Sequence, residues 1–163
     1  MSMRKEKTGA PVMVRPFQAG DIRRAARLFR DTVFRVNRAD YTETQLRAWA
    51  AGADGAVWEE RLSGLRAFAA ERGGALLGFG SVREDGYVDH LFVHARHQGE
   101  GVGTALLAAL EAAVPAGTLR TEASVTARPF FLARGWRAVR EQEVFCRGEC
   151  FVNFLMEKER VRR

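Results

Sequence analysis

With 163 residues, the chain fits one domain of the usual ~100 to 200 residues and is long enough to bury a substantial core. A hydrophobic fraction of 47% and a charged fraction of 28% exclude a disordered composition, and no apolar run approaches the ~18 to 20 residues of a membrane-crossing helix. The formal charge of +6 and pI near 10.1 admit an anionic partner, but the basic residues are scattered rather than gathered in a stripe, so no nucleic-acid partner is expected.

The basic start MSMRKEK is followed by no apolar stretch of a signal peptide, so a cytoplasmic protein is expected, with residues 1–10 read as a mobile leader and 11–163 as the single domain. The first strand is expected at Val12 to Arg15. Asp21 then marks a helix start, followed by Ile22, Ala25, Ala26, Leu28, Phe29, Val33 and Val36 at helical spacing. Thr42 and Gln45 have the form of a capping box before a short second helix, which the glycine-rich segment at 51–55 ends. A brief helical turn around Trp58 to Leu62 leads to strands at Arg66 to Ala70 and Leu76 to Arg83, joined by Gly73 and Gly74 as a hairpin.

Glu84, Asp85 and Gly86 turn the chain into a strand from Tyr87 to Val93. After a glycine-rich segment comes a helix with Leu106, Leu107, Leu110 and Val114 on its apolar face, stopped by Pro115 and Gly117. A strand at Leu119 to Ala123, a helix from Arg128 to Arg134 ended by Gly135, and strands at Trp136 to Phe145 and Cys150 to Met156 complete the order. The large aromatics Trp49, Trp58, Phe68, Phe79, Phe130 and Trp136 sit at apolar positions and are assigned to packing. Cys146 and Cys150, in a C-x3-C spacing, suit neither a disulfide framework nor a zinc knuckle and read as ordinary strand thiols.

The chemistry concentrates between residues 97 and 107, HQGEGVGTALL. Gly99, Gly101 and Gly103 alternate between a strand and a helix, where missing side chains let backbone N–H groups approach a ligand. The helix start adds unpaired donors and a partial positive charge, a combination suited to a pyrophosphate. A dinucleotide fingerprint starting at Gly99 would need glycine or alanine where Thr104 stands, although Glu122 lies at a suitable distance, and too few strand–helix units follow for that fold. A P-loop would need a lysine that this segment lacks.

These residues resemble the GNAT N-acetyltransferase superfamily, whose Q/R-x-x-G-x-G/A motif is met by Gln98, Gly101 and Gly103. The segments 123–136, ASVTARPFFLARGW, and 146–156, CRGECFVNFLM, are similar to a small YafP-like bacterial subgroup. The resemblance implies an α/β (α+β) fold with a central mixed, largely antiparallel sheet of about seven strands flanked by about four helices. It also implies direct transfer of an acetyl group from acetyl-CoA to an amine in a ternary complex, the amine belonging to a small molecule, a peptide or a protein, with a monomeric or homodimeric enzyme.

The resemblance further implies that Gln98, Gly99, Glu100, Gly101, Val102, Gly103 and Thr104 hold the pyrophosphate. The strand before them binds the pantetheine arm, a backbone N–H of Leu91, Phe92 or Val93 polarises the thioester carbonyl, and Phe130 and Phe131 flank the sulfur. Phe131 stands where many GNAT enzymes carry a tyrosine that protonates the departing thiolate. Ser124, Thr126 or Tyr87 is then the candidate replacement, and the alternative function is a noncatalytic acyl-CoA-binding module.

An amine acceptor must lose a proton, so a nearby carboxylate or imidazole is needed. Asp89 and His90 are the candidates; as strand neighbours they should alternate sides, so that at most one faces the acceptor cleft. Both also suit ordinary roles, Asp89 as a solvated charge and His90 as a half-buried histidine. Asp40 and Glu43 near the second helix could meet a cationic substrate or simply solvate that helix. His90, His94 and His97 do not form a convincing ligand set, and no metal is expected.

Overall fold

The structure is a computed structural model that describes residues 10–115 and 117–160; apart from Ala10, the expected leader lies outside the described residues. The chain begins with β1 (Met13–Pro16), α1 (Ile22–Val36), α2 (Glu43–Ala50), α3 (Gly55–Leu62), β2 (Arg66–Arg72), β3 (Ala75–Val82) and β4 (Tyr87–Val93). It continues with α4 (Val102–Ala112), β5 (Gly117–Ser124), α5 (Arg128–Leu132), β6 (Arg137–Cys146) and β7 (Glu149–Arg160). The strands form one sheet in the order β1-β2-β3-β4-β5-β7-β6. Only the central β4–β5 pair is parallel, and α4 makes the crossover between these two strands, as a parallel connection requires.

The expected mixed, largely antiparallel seven-stranded sheet is therefore present, with five α-helices among the described residues where about four were expected. The extra helix is α3. Asp54 caps it by accepting from the Val57 N–H at 3.0 Å, so Gly55, read as the end of the preceding helix, is its first residue. The Thr42–Gln45 capping box forms as expected: Thr42 Oγ1 accepts from the Gln45 N–H at 3.2 Å and Gln45 Oε1 from the Thr42 N–H at 2.8 Å. β7 extends beyond its expected limits because it pairs on one side with β5 and on the other with β6.

Two apolar layers cover the sheet. On one face α1, α2 and α3 bury Phe29, Val33, Leu46 and Trp58 against Phe79 and Phe151. On the other, Leu107 and Leu110 of α4 and Phe131 of α5 pack with Val82, Val88, Trp136 and Met156. Asp21 does more than start a helix. It is buried, and it receives both arms of the Arg15 guanidinium at 2.8 Å, the Gln18 N–H at 2.8 Å and Arg24 at 2.9 Å. The Arg15 hydrogen bonds, acting against burial, hold its carboxyl at about 2. β1 is thereby locked to the first helix.

Candidate active site

β4 and β5 are register partners only at Tyr87↔Arg120 and Val88↔Thr121. Beyond that point they separate, although each remains paired to its outer neighbour. The His94 N–H donates back to Leu77 of β3 at 2.8 Å. By strand alternation, Phe92 also turns its backbone groups toward β3, while Leu91 and Val93 turn theirs into the gap. Val93 O there accepts from Gln98 Nε2 at 2.8 Å and from Thr32 Oγ1 at 3.2 Å. Of the three expected donors, Leu91 and Val93 face the opening and Phe92 does not; its ring packs against Phe29 at 5.0 Å.

The start of α4 lies beside this gap. Gly99 and Gly101 have φ of +71° and +84°, the left-handed region that glycine enters without a Cβ penalty. Gly101 caps the helix with no side-chain hydrogen bond, and the first main-chain bond back to it comes from Ala105 at 3.0 Å. The N–H groups of Val102, Gly103 and Thr104 thus precede the internal ladder. Gly103 has a packing reason of its own, since a Cβ there would sit 3.0 Å from Phe130 Cε2 and 3.4 Å from Val93 Cγ2.

Side chains around the turn are tied down. Glu100 pairs with His97 at 2.7 Å and with Arg72 at 3.3 Å, and the His97 hydrogen bond is the main cause of its lowered carboxyl pKa. Thr104 Oγ1 accepts from Arg134 Nε and Nη2 at 2.9 and 2.6 Å, and the Arg134 guanidinium lies 3.7 Å above the Phe130 ring centroid. Phe131 is buried, edge-on to Phe130 at 5.3 Å and to Trp136 at 5.1 Å.

The gap opens into a cavity of about 510 Å³ whose walls include Phe29, Tyr41, Trp58, Arg61, Asp89, His90, Glu122, Ser124, Phe131 and Asn153. Asp89 and His90, expected to alternate sides, belong to the run from Tyr87 to Val93 that lines the cavity. The strand is bulged at this point. Ser81 pairs with His90 and Val82 with Val88, leaving Asp89 as an extra residue that breaks the alternation.

His90 Nδ1 lies 2.6 Å from the wholly buried Ser81 Oγ, and its ring stands 4.9 Å from Trp58. Burial pushes the imidazole down to about 4 despite the Asp89 charge, so it is neutral at pH 7. Asp89 itself is 3.4 Å from Arg83. Burial, helped by Glu122 and Asp89, pushes the Tyr87 phenol up to about 12.

Ser124 Oγ accepts from the Ala127 N–H at 3.0 Å, which leaves its own proton free to donate. Thr126 donates to Asp40 at 2.8 Å. Asp40 and Glu43, considered for a cationic substrate, are not among the cavity walls; Glu43 pairs with Arg47 at 2.6 Å on the exposed side of α2. Among the described residues no group of three or more His, Cys, Asp or Glu could hold a metal.

Sequence reading missed Tyr41, whose hydroxyl accepts from the Val125 N–H at 2.9 Å and donates to Val152 O at 2.8 Å. It bridges β5 and β7 just past their last register pair, Ser124↔Asn153. Arg61 and Asn153 were missed too, and Trp58 was read as packing alone. Their positions depend on contacts distant in sequence.

Residues 37–159 match the family described as acetyltransferase (GNAT) domain. The chain belongs to the GNAT N-acetyltransferase family. It is 34% identical over 145 residues to the uncharacterized N-acetyltransferase YafP of Escherichia coli strain K12, covering 89% of this chain and 94% of that one. This agrees with the expected YafP-like subgroup, and membership makes the chain an acyltransferase.

A GCN5-related N-acetyltransferase from Rhodopseudomonas palustris superposes with a TM-score of 0.88 at 34% identity, covering 93% of this GNAT chain and 97% of that one. The PaiA N-acetyltransferase of Thermoplasma acidophilum, solved with coenzyme A, shares the fold at a TM-score of 0.70 and 14% identity, covering 91% and 99% of the two chains. Among the described residues no helix is long and apolar enough to cross a membrane.

Proposed function

We propose that this chain is a single-domain cytoplasmic enzyme that transfers an acetyl group from acetyl-CoA to a small amine by direct attack in a ternary complex. The observation that carries this reading is the parting of β4 from β5 after two register pairs, with the start of α4 beside the opening. The N–H groups of Val102, Gly103 and Thr104 suit a pyrophosphate in charge and hydrogen-bonding capacity, with Gln98, Gly99, Glu100 and Gly101 shaping the turn. The open backbone of Leu91 and Val93 suits an amide-bearing arm such as pantetheine. Phe130 and Phe131 supply apolar surface for its sulfur end.

Bound acetyl-CoA supplies the activated thioester. In this reading an N–H of Leu91 or Val93 donates to the carbonyl oxygen on which charge develops, as a small oxyanion hole. His90, neutral at working pH, takes the proton of the attacking amine through water, and Asp89 stabilises the resulting imidazolium. Ser124 donates a hydrogen bond to the departing thiolate, in place of the hydroxyl that Phe131 lacks, and the proton taken from the amine returns through water to the sulfur. A thiol of ordinary pKa near 8.5 needs only modest help to leave.

The buried Phe131 also favours a second reading, a noncatalytic acyl-CoA-binding module. Thermal unfolding with acetyl-CoA, paired with thiol release across an amine panel, separates the two. A shift with thiol release supports the enzyme; a shift without release supports the binding module. In the enzyme, His90→Gln is expected to slow turnover by ~10²-fold or more while the acetyl-CoA shift persists, and an unchanged rate would remove His90 from the mechanism.

A further inference from the structure

The cavity walls carry polar groups that the protein does not use. Arg61, in the last turn of α3, is half-buried and faces the cavity. Its guanidinium stands 5.1 Å from the Trp58 ring centroid and 6.0 Å from that of Phe29. Five N–H donors on such a group normally find carboxylates or carbonyls. Two other charged wall residues do find partners: Asp89 meets Arg83, and Arg147 donates to Ala48 O at 2.7 Å. No ion pair or hydrogen bond engages the Arg61 side chain among the described residues, so only aromatic faces hold it.

Trp58 beside it is wholly buried, and its Nε1–H has no acceptor. Asn153 of β7, another wall residue, has a buried Oδ1 without a donor. Phe29, Tyr41, Trp49 and Phe151 also line the cavity. Beside the carboxylates of Asp89 and Glu122, the cavity therefore offers a guanidinium that the protein leaves unpaired.

We propose that Arg61 forms a carboxylate-binding subsite, so that the acceptor is an amino acid with an aromatic or large apolar side chain. The proposal rests on reading the cavity as the acceptor site. Arginine stacked on aromatic rings is pre-organised, because its planar fork keeps its outer donors free for a bidentate carboxylate. The apolar walls cover the side chain, and the amine is left near His90 and the gap.

The test compares aromatic and large apolar amino acids with their decarboxylated amines, phenylalanine against phenethylamine first, in wild type, Arg61→Gln and Arg61→Lys, by thiol release from acetyl-CoA. Wild type is expected to show a KM for the amino acids at least tenfold below that for the amines. Arg61→Gln should raise the amino-acid KM by roughly 10- to 100-fold with little change in kcat. It should leave the amine KM unchanged, which also shows that the variant is folded, and Arg61→Lys should retain part of the preference.

Equal KM values in wild type, or a preference indifferent to Arg61→Gln, overturn the subsite and leave the acetyltransferase reading intact. If no amine releases thiol, that reading fails, and calorimetry of the amino acids on the coenzyme A-saturated protein decides the subsite alone. Binding lost in Arg61→Gln supports it, and absence of binding overturns it.

Discussion

β5 has two unlike sides. Along β7 it is paired from Gly117↔Arg160 to Ser124↔Asn153, and along β4 it is paired at two positions only. The long ladder satisfies every backbone group it can reach, and Tyr41 satisfies the next pair beyond its end. The short one leaves donors of Leu91 and Val93 facing a cavity. An open ladder inside a sheet forgoes stabilising hydrogen bonds, and here that loss creates a site whose backbone can bind a ligand. The difference also separates stability from binding along a single strand, which makes it open to attack from either side.

The largest effect is expected at the open side. Acetyl-CoA at 100 times its dissociation constant should stabilise the wild-type protein by ~2.7 kcal/mol, a rise in Tm of roughly 5 to 10 °C. Replacing Gly101 with Val and Gly103 with Leu should abolish that rise, because the first position requires φ of +84° and the second has Phe130 at 3.0 Å. Differential scanning fluorimetry reads the result. A full shift in the double variant would separate the α4 turn from cofactor binding.

His90, on the wall of the same opening, should give a comparable effect in the acid range. Its folded imidazole binds a proton only near pH 4, whereas the unfolded one does so near 6.5. Between those values the unfolded state holds the extra proton, so stability is full above about 6.5 and falls as pH drops, by on the order of 3 kcal/mol. Urea unfolding of His90→Gln should show this window flattened. The loss below about 3.8 that follows from Asp21 should remain, because that carboxylate lies in another cluster.

On the closed side, Tyr41→Phe removes a hydroxyl with two backbone partners and leaves the Val125 N–H unmet. It should cost ~1 to 3 kcal/mol in chemical denaturation, and a smaller loss would mean that water replaces the hydroxyl. The smallest change is expected from Phe131→Tyr. The ring is packed between Phe130 and Trp136, so stability should shift by less than ~1 kcal/mol if the new hydroxyl reaches the cavity. A faster release of thiol in this variant would show that a missing proton donor limits the natural rate.

The sequence by itself determined those features that depend on neighbours within a few residues. The Thr42–Gln45 box, the Gly73-Gly74 hairpin and the Gln98 to Gly103 turn are local, because capping, tight turns and left-handed backbone are imposed over short segments. Apolar periodicity likewise placed α1, α4 and the strands that they cover. α3 escaped full recognition because its cap, Asp54, sits within a glycine-rich segment that also reads as a helix end.

Only the tertiary structure decided which side chains share the cavity. Alternation predicts that Asp89 and His90 point apart, and the bulge at Asp89, which interrupts that alternation, is specified by pairing with β3 rather than by local sequence. Tyr41 meets residues more than eighty positions away, and Arg61 reaches the cavity because α3 packs against α1 over the sheet. Residue type and spacing along the chain set local conformation. They carry no direct record of which donors, after packing, are left without a partner, because that depends on contacts between segments distant in the chain.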